Sequence, residues 1–311
     1  MRLLVKGKDI TNLVRDVVWT GADENVARKL EFNLISSPID QNIPKVVVAL
    51  GDFVQLYDDG KEIFQGFIWN REMSYDSTYI KIIAFEGSIY LKKNWASYNF
   101  KNMLPEDIAT YICNDFNIPA GKMAKTGVPQ SYIVLGDKDL YEIIMMGYQM
   151  AGDETGREYK IVMNNGKVEV IEKDKVVLKG NLKSSDLSNI NMSETLDEMV
   201  NIVKIIDEEG NTIGEINNSE WVTRYGSFQK VVKYEADKNV MGIAENLLKG
   251  IEQSVEIEFY GDSKYISGHA VEVEESYTGV IGIFRIIEDT HTWENGLHKV
   301  KLKLKFITRR V

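Results

Sequence analysis

Histidine chemistry is confined to three positions, His269, His291 and His298. His291 and His298 lie seven apart, on either side of Glu294-Asn295-Gly296. In a hairpin that spacing brings two imidazoles together, and Asp289 would add a carboxylate to a metal donor set. No Cys/His cluster with metal-ligand spacing supports such a site, so a structural role is expected and no metal. Cys113, the only cysteine, falls on the apolar side of a predicted helix. A nucleophilic thiolate needs exposure and a neighbouring base; the histidine closest in sequence is His269, and a core position is expected. Paired carboxylates are all a glycosidase needs. Asp137 and Asp139 precede one predicted helix and Asp153-Glu154 follow it, although Asp139 reads first as an N-cap. A cell-wall hydrolase acting through these acids is therefore the second functional reading. No phosphate-binding loop follows a strand, and no cofactor is expected.

Surface candidates form a second group. From His298 to Phe306 the chain alternates strictly, with Val300, Leu302, Leu304 and Phe306 on one face and Lys299, Lys301, Lys303 and Lys305 on the other. The lysine row is expected on a solvated face or along a seam between modules, where its charge also discourages edge-to-edge pairing. Tyr225, Phe228 and Trp293 are candidate interface aromatics.

Strands must position most of these residues. Val14 to Trp19, Lys29 to Ser36 and Tyr79 to Phe85 alternate in the half-buried manner. Turn signals at Asp58-Asp59-Gly60 and Asp76-Ser77 separate short strands, which suggests a small closed or nearly closed barrel. One module is written twice. Gly51-Asp52-Phe53-Val54-Gln55-Leu56 matches Gly268-His269-Ala270-Val271-Glu272-Val273, and Gly66-Phe67-Ile68-Trp69 matches Gly282-Ile283-Phe284-Arg285. Between the copies, Pro105 to Cys113 opens a helix with Pro in the first turn and acids at its positive end. Asp139 to Met150 predicts a second helix with its exit at Ala151-Gly152. Asn164-Asn165-Gly166 predicts the turn of a hairpin. Asn239 to Gly250 predicts an amphipathic helix. The expected fold is mainly β, of the α+β class: a first barrel over 1–94, an α+β insert over 95–180, a polar hinge over 181–200, and a second barrel with one helix over 201–311.

The formal net charge of −10 argues against a dedicated nucleic-acid reader, which would cluster Lys and Arg. No apolar run reaches the length of a membrane span, so no membrane insertion is expected. Arg2 interrupts any apolar leader, so synthesis in a bacterial cytoplasm is expected.

Several stretches resemble one family. Arg224-Tyr225-Gly226-Ser227-Phe228-Gln229-Lys230-Val231, Ala244-Glu245-Asn246-Leu247-Leu248, Gly261-Asp262, Gly279 to Ile286 and Asp289-Thr290-His291-Thr292-Trp293 are similar to the XkdQ/YqbQ proteins of PBSX-type defective prophages. Asp139-Leu140-Tyr141-Glu142-Ile143-Ile144 and Gly156 to Ile161 resemble that family's middle domain. The resemblance implies a baseplate hub of a contractile tail, from a phage, a prophage remnant or an R-type bacteriocin. Such hubs have two tail-tube-like β-barrels and an α/β insert, and assemble as homotrimers. The implied partners are the tail tube protein, a central spike protein and other baseplate proteins. No catalytic residue is carried over by the resemblance.

Overall fold

Period-two alternation is what the first ninety or so residues and the last fifty or so use to choose an inward face. The computed structural model describes residues 1–36, 46–74, 77–234 and 240–307; the predicted turn position Asp76 and the predicted helix start Asn239 lie outside them. Within Lys29–Ile35, Leu30, Phe32 and Leu34 are buried, and within Phe53–Asp58 so are Val54 and Leu56. Burial of this kind contributes about 1.5–3 kcal/mol per large side chain.

The chain divides into two compact units, Met1–Ile190 with Glu256–Val311, and Asn191–Val255. In the first unit the two β modules belong to one sheet. Val14–Ala22 pairs on one side with Lys29–Ile35 and on the other with the second half of Val280–Glu294. From Lys29–Ile35 the order continues through Tyr79–Glu86, Lys61–Met73, Phe53–Asp58, Arg2–Val5 and Lys8–Asp9. From Val280–Glu294 it runs to Leu297–Phe306, Glu252–Tyr260 and Leu187–Thr195. The first half of Val280–Glu294 pairs with Ala270–Glu275, which in turn lies parallel to Val177–Lys183.

The insert has its own core. Helices Pro105–Asp115 and Leu140–Thr155 pack Ile108, Ile112, Ile143, Ile144 and Tyr148 against the hairpin Tyr159–Asn164/Lys167–Glu172. Cys113 is fully buried there, as expected, and desolvation pushes its thiol up to about 11. Asp139 caps the second helix: its carboxylate accepts from Glu142 N at 2.8 Å, and Glu142 Oε2 accepts from Asp139 N at 3.2 Å. That reciprocal box satisfies two orphan donors of the first turn. The helix passes the expected exit at Ala151-Gly152 and stops at Gly156, whose φ of 70° is left-handed. Asn165 and Gly166, at φ 47° and 72°, close the hairpin as predicted.

Two expected boundaries differ. Residues 181–200 are not a hinge of turns: Val177–Lys183 and Leu187–Thr195 are strands, and the latter has no buried position, which accounts for its polar composition. Residues 201–311 are not one barrel with one helix. In the second unit, Ile202–Ile206 pairs with Thr212–Asn217 and lies parallel to Gln229–Lys233. Helices Ser219–Tyr225 and Val240–Leu247 accompany this sheet, around Val200, Val203, Ile205, Val240 and Ala244. Short alternating strands look alike in sequence whichever sheet they join, and only pairing separates them.

Candidate functional site

Four groups expected to be polar surface by type occupy inward positions of the first unit. Glu86 follows Ile82 and Ala84 in the buried phase of its strand. Asp289 and His291 hold the same phase as Trp293, beyond a bulge between Ile286 and Glu288. Lys160 is buried between Tyr159 and Ile161.

They are brought together where three parts of the chain meet. Arg28 forms a paired contact with Asp289, one arm donating from Nη1 to Oδ1 at 3.0 Å and the second from Nη2 to Oδ2. Its guanidinium carbon lies 3.7 Å from the centroid of the Trp19 ring. Arg28 N donates to Glu86 Oε2 at 3.0 Å, and Ser267 N donates to Asp289 Oδ1 at 2.7 Å. From the insert, Lys160 Nζ donates to Ser267 Oγ at 2.8 Å and to the Ala22 carbonyl, while Lys173 Nζ donates to Asp23 Oδ2 at 2.6 Å. Arg285 closes the outer rim, donating from Nε to Asp174 Oδ1 at 2.8 Å and from Nη1 to Glu158 Oε2 at 2.6 Å. Gly21 makes room: a Cβ there would come within 2.3 Å of Arg28 Nη1.

Burial sets the protonation of this junction. Desolvation pushes Glu86 up to about 7 in spite of Arg28, and pushes Lys160 down to about 8. Burial also acts to raise Asp289, but the Arg28 charge and hydrogen bonds outweigh it and hold the carboxylate below its ordinary range. Desolvation takes His291 down to about 4, so it is neutral at pH 7. Such groups, each buried beside a partner, form a structural lock.

The histidine pair is real: His291 Nδ1 and His298 Nε2 are 3.0 Å apart, and His291 Nε2 is 3.0 Å from the Tyr265 carbonyl. Those partners occupy both nitrogens of His291. Among the described residues no group of three or more His, Cys, Asp or Glu side chains is placed to hold a metal ion. Trp293, a surface candidate by sequence, is instead 7% exposed. It stacks on His298 at 4.2 Å, donates Nε1 to Asp58 Oδ1 at 3.3 Å and packs into the core of the first β module. The face decides: Trp293 shares the inward phase of Asp289 and His291, whereas Glu294, next to it on the same strand, points outward and is exposed. Tyr225 and Phe228 are half-buried in the second unit.

The lysine row lies on the outer face. Lys299 pairs with Glu258 at 2.5 Å, Lys301 with Glu256 at 2.9 Å and Lys303 with Glu288 at 3.4 Å, while Lys305 stands opposite Arg285. Exposed pairs of this kind contribute well under about 1 kcal/mol each. The insert carboxylates are dispersed in use. Asp139 is the helix cap and also accepts from Lys92 Nζ at 3.0 Å, and Glu154 accepts from Gln130 Nε2 at 3.0 Å.

The duplicated hairpin is the other organising feature. In the first copy Gly51 N donates to the Ile68 carbonyl at 2.8 Å and Ile68 N donates to Asp52 O at 2.9 Å; in the second, Gly268 and Ile286 do the same at 3.0 Å, with His269 O accepting at 2.9 Å. Gly51 and Gly268 both have left-handed φ, 82° and 93°. A β-bulge follows immediately in each, between Ile68 and Asn70 and between Ile286 and Glu288. The equivalent of Ile68 is therefore Ile286, not Phe284 as the sequence match has it. Gly66 faces Val54, whereas Gly282 faces Val273. A two-residue offset preserves the faces of a strand, which is why the sequence pattern conceals it.

Compared with known proteins, residues 17–305 match the family model described as YqbQ-like. The phage-like element PBSX protein XkdQ of Bacillus subtilis is 29% identical over 167 residues, covering 53% of this chain and 50% of XkdQ. The chain thus spans about half the length of that curated relative. Among solved structures, the 43 kDa tail protein of prophage MuSo2 from Shewanella oneidensis has a TM-score of 0.77 at 13% identity, covering 97% of this chain and 96% of that one. The E. coli c3393 protein, described as a component of the type VI secretion system similar in structure to bacteriophage tail proteins, has a TM-score of 0.59 at 10% identity, covering 100% of this chain and 78% of that one. At these identities the likeness is one of fold.

Proposed function

The chain belongs to the YqbQ-like family, and on that premise we propose that it is a structural baseplate hub of a contractile tail. Its task is to join parts of different symmetry. A homotrimer presents six similar β hairpin modules as a pseudo-six-fold ring to the tail tube protein, and three-fold symmetry to a central spike protein. The observation that carries this reading is the duplicated hairpin, in which the left-handed glycine, the hydrogen-bond pair and the bulge all recur. Two copies per chain and three chains make six, and head-to-tail contacts between identical chains close into rings. The fold likeness to prophage tail and secretion-system proteins supports the same reading. So does the buried junction, which stiffens the chain where a load-transmitting adaptor needs it. Assembly would take place in the bacterial cytoplasm with other baseplate proteins, and the product would travel on a phage or bacteriocin particle. A peptidoglycan hydrolase acting through the insert is less well supported, because Asp139 and Glu154 already serve a helix cap and a side-chain amide. Electron cryomicroscopy of the chain bound to its tail tube protein tests the hub directly. A three-fold ring with six hairpin modules toward the tube is expected; single copies bound to the tube, or a ring of another symmetry, would sink it.

A further inference from the structure

The two copies of the hairpin differ most at their tips. The first closes through Asp59 and Gly60, at φ 46° and 77°, directly between the paired Asp58 and Lys61. The second closes between Glu275 and Val280 through the longer 276–279 turn. That longer turn is held rigid. The Glu275 carboxylate accepts from Tyr277 N and Thr278 N at 2.8 Å each, from the Thr278 hydroxyl, and from Ser184 Oγ at 3.1 Å. Its charge is folded back onto the turn, and what the turn presents outward is Tyr277, 96% exposed. A tyrosine on a preorganised turn loses little freedom on docking, which makes it a strong anchor.

A matching receptor lies elsewhere on the same unit. A groove of about 520 Å³ separates the first β module from the insert, walled by Phe67, Tyr90, Phe116 and Pro119. That volume is within the range of side-chain and small-ligand pockets. Its polar side chains are the amides of Gln65, Asn94 and Asn117 and the Tyr90 phenol, and no lining residue carries a charged side chain. In a chain of net charge −10, an uncharged aromatic groove selects an uncharged occupant.

We propose that the 276–279 turn of one copy seats Tyr277 in the groove of the next copy, a contact that propagates head to tail around the ring. This rests on the hub reading. The turn and the groove are different surfaces, so the contact is heterologous, the kind that closes a cyclic assembly. The aromatic walls cover the ring, and the rim amides can bond its hydroxyl.

The test places p-benzoylphenylalanine at position 277 of the full chain, mixes isotope-labelled and unlabelled copies, irradiates, and maps the cross-links. Links between copies to residues 87–94 or 116–119 are expected. Sedimentation equilibrium should show Tyr277→Ala raising the dissociation constant of the trimer roughly tenfold or more, with Tyr277→Phe much closer to the parent. Trimers whose cross-links map elsewhere, or whose affinity ignores Tyr277→Ala, overturn this contact and leave the hub standing. A chain that sediments as a monomer at every concentration also overturns this contact, while the hub itself is decided on the complex with the tail tube protein.

Discussion

The two hairpins begin alike and end differently. Up to the bulge, Gly51–Ile68 and Gly268–Ile286 make the same bonds. Past it, the first strand runs on through Asn70 and Arg71 with both residues at least partly exposed, paired with Tyr79–Glu86. The second strand continues between two neighbours, Val14–Ala22 and Leu297–Phe306, and becomes interior. Asp289, at the position corresponding to Arg71, is 1% exposed. One motif therefore serves once as the flank of a module and once as the beam that joins modules. Pairing on both edges, with Asp289 on the inward face of the strand, is what turned a half-exposed position into a lock.

Removing that lock is the largest break the comparison predicts. Asp289→Asn leaves Arg28 buried without its counter-charge and should cost about 3–5 kcal/mol, read from chemical denaturation. Arg71→Gln, at the corresponding position, loses only a hydrogen bond to the Val48 carbonyl and should cost about 1–2 kcal/mol. Similar losses at both sites would mean that the two strands are not used differently.

The glycines give the next effect. A Cβ at Gly66 would meet the Phe85 carbonyl oxygen at 2.2 Å, and backbone cannot retreat cheaply. At Gly282 the nearest atom is the edge of the Phe306 ring at 3.0 Å, and the main difficulty is φ 147°. Gly66→Ala should therefore cost about 3 kcal/mol and Gly282→Ala about 1–2 kcal/mol. Equal losses would restore the sequence equivalence of the two positions.

The smallest effect concerns pH. Glu86, raised from 4.5 to about 7, contributes stability that is complete below about pH 4.5 and is lost as pH rises toward 7. His291, lowered from 6.5 to about 4, contributes above about pH 6.5 and loses its contribution as pH falls toward 4. Over the shared window the slopes oppose. Glu86→Gln should unmask the histidine, so that between pH 6.5 and 4 stability falls by about 2 kcal/mol more in the variant than in the parent. Denaturant midpoints across that range check it, and a parallel shift without a change of slope would contradict it.

Much of this was legible in the chain. The alternation from Val300 to Phe306 placed the lysines outward, Asp139 ahead of its helix announced an N-cap, and Asn165-Gly166 announced a turn. All three are local rules, acting over two to four residues. The polar junction was less legible, although its signal was present: Glu86, Asp289 and His291 each hold an apolar phase of a strand. Trp293 holds that phase too, which its place beside a turn does not reveal.

By itself the sequence determined the β character, the faces of the strands, the caps and the existence of a duplication, since each is encoded by short-range periodicity. Tertiary structure alone decided that both copies share one sheet, that residues 191–255 form a compact unit of their own, and that Ile68 corresponds to Ile286. The reason is physical. A bulge or a two-residue slip leaves the inward and outward pattern intact, and an ion pair such as Arg28–Asp289 joins residues far apart in the chain, where periodicity carries no information.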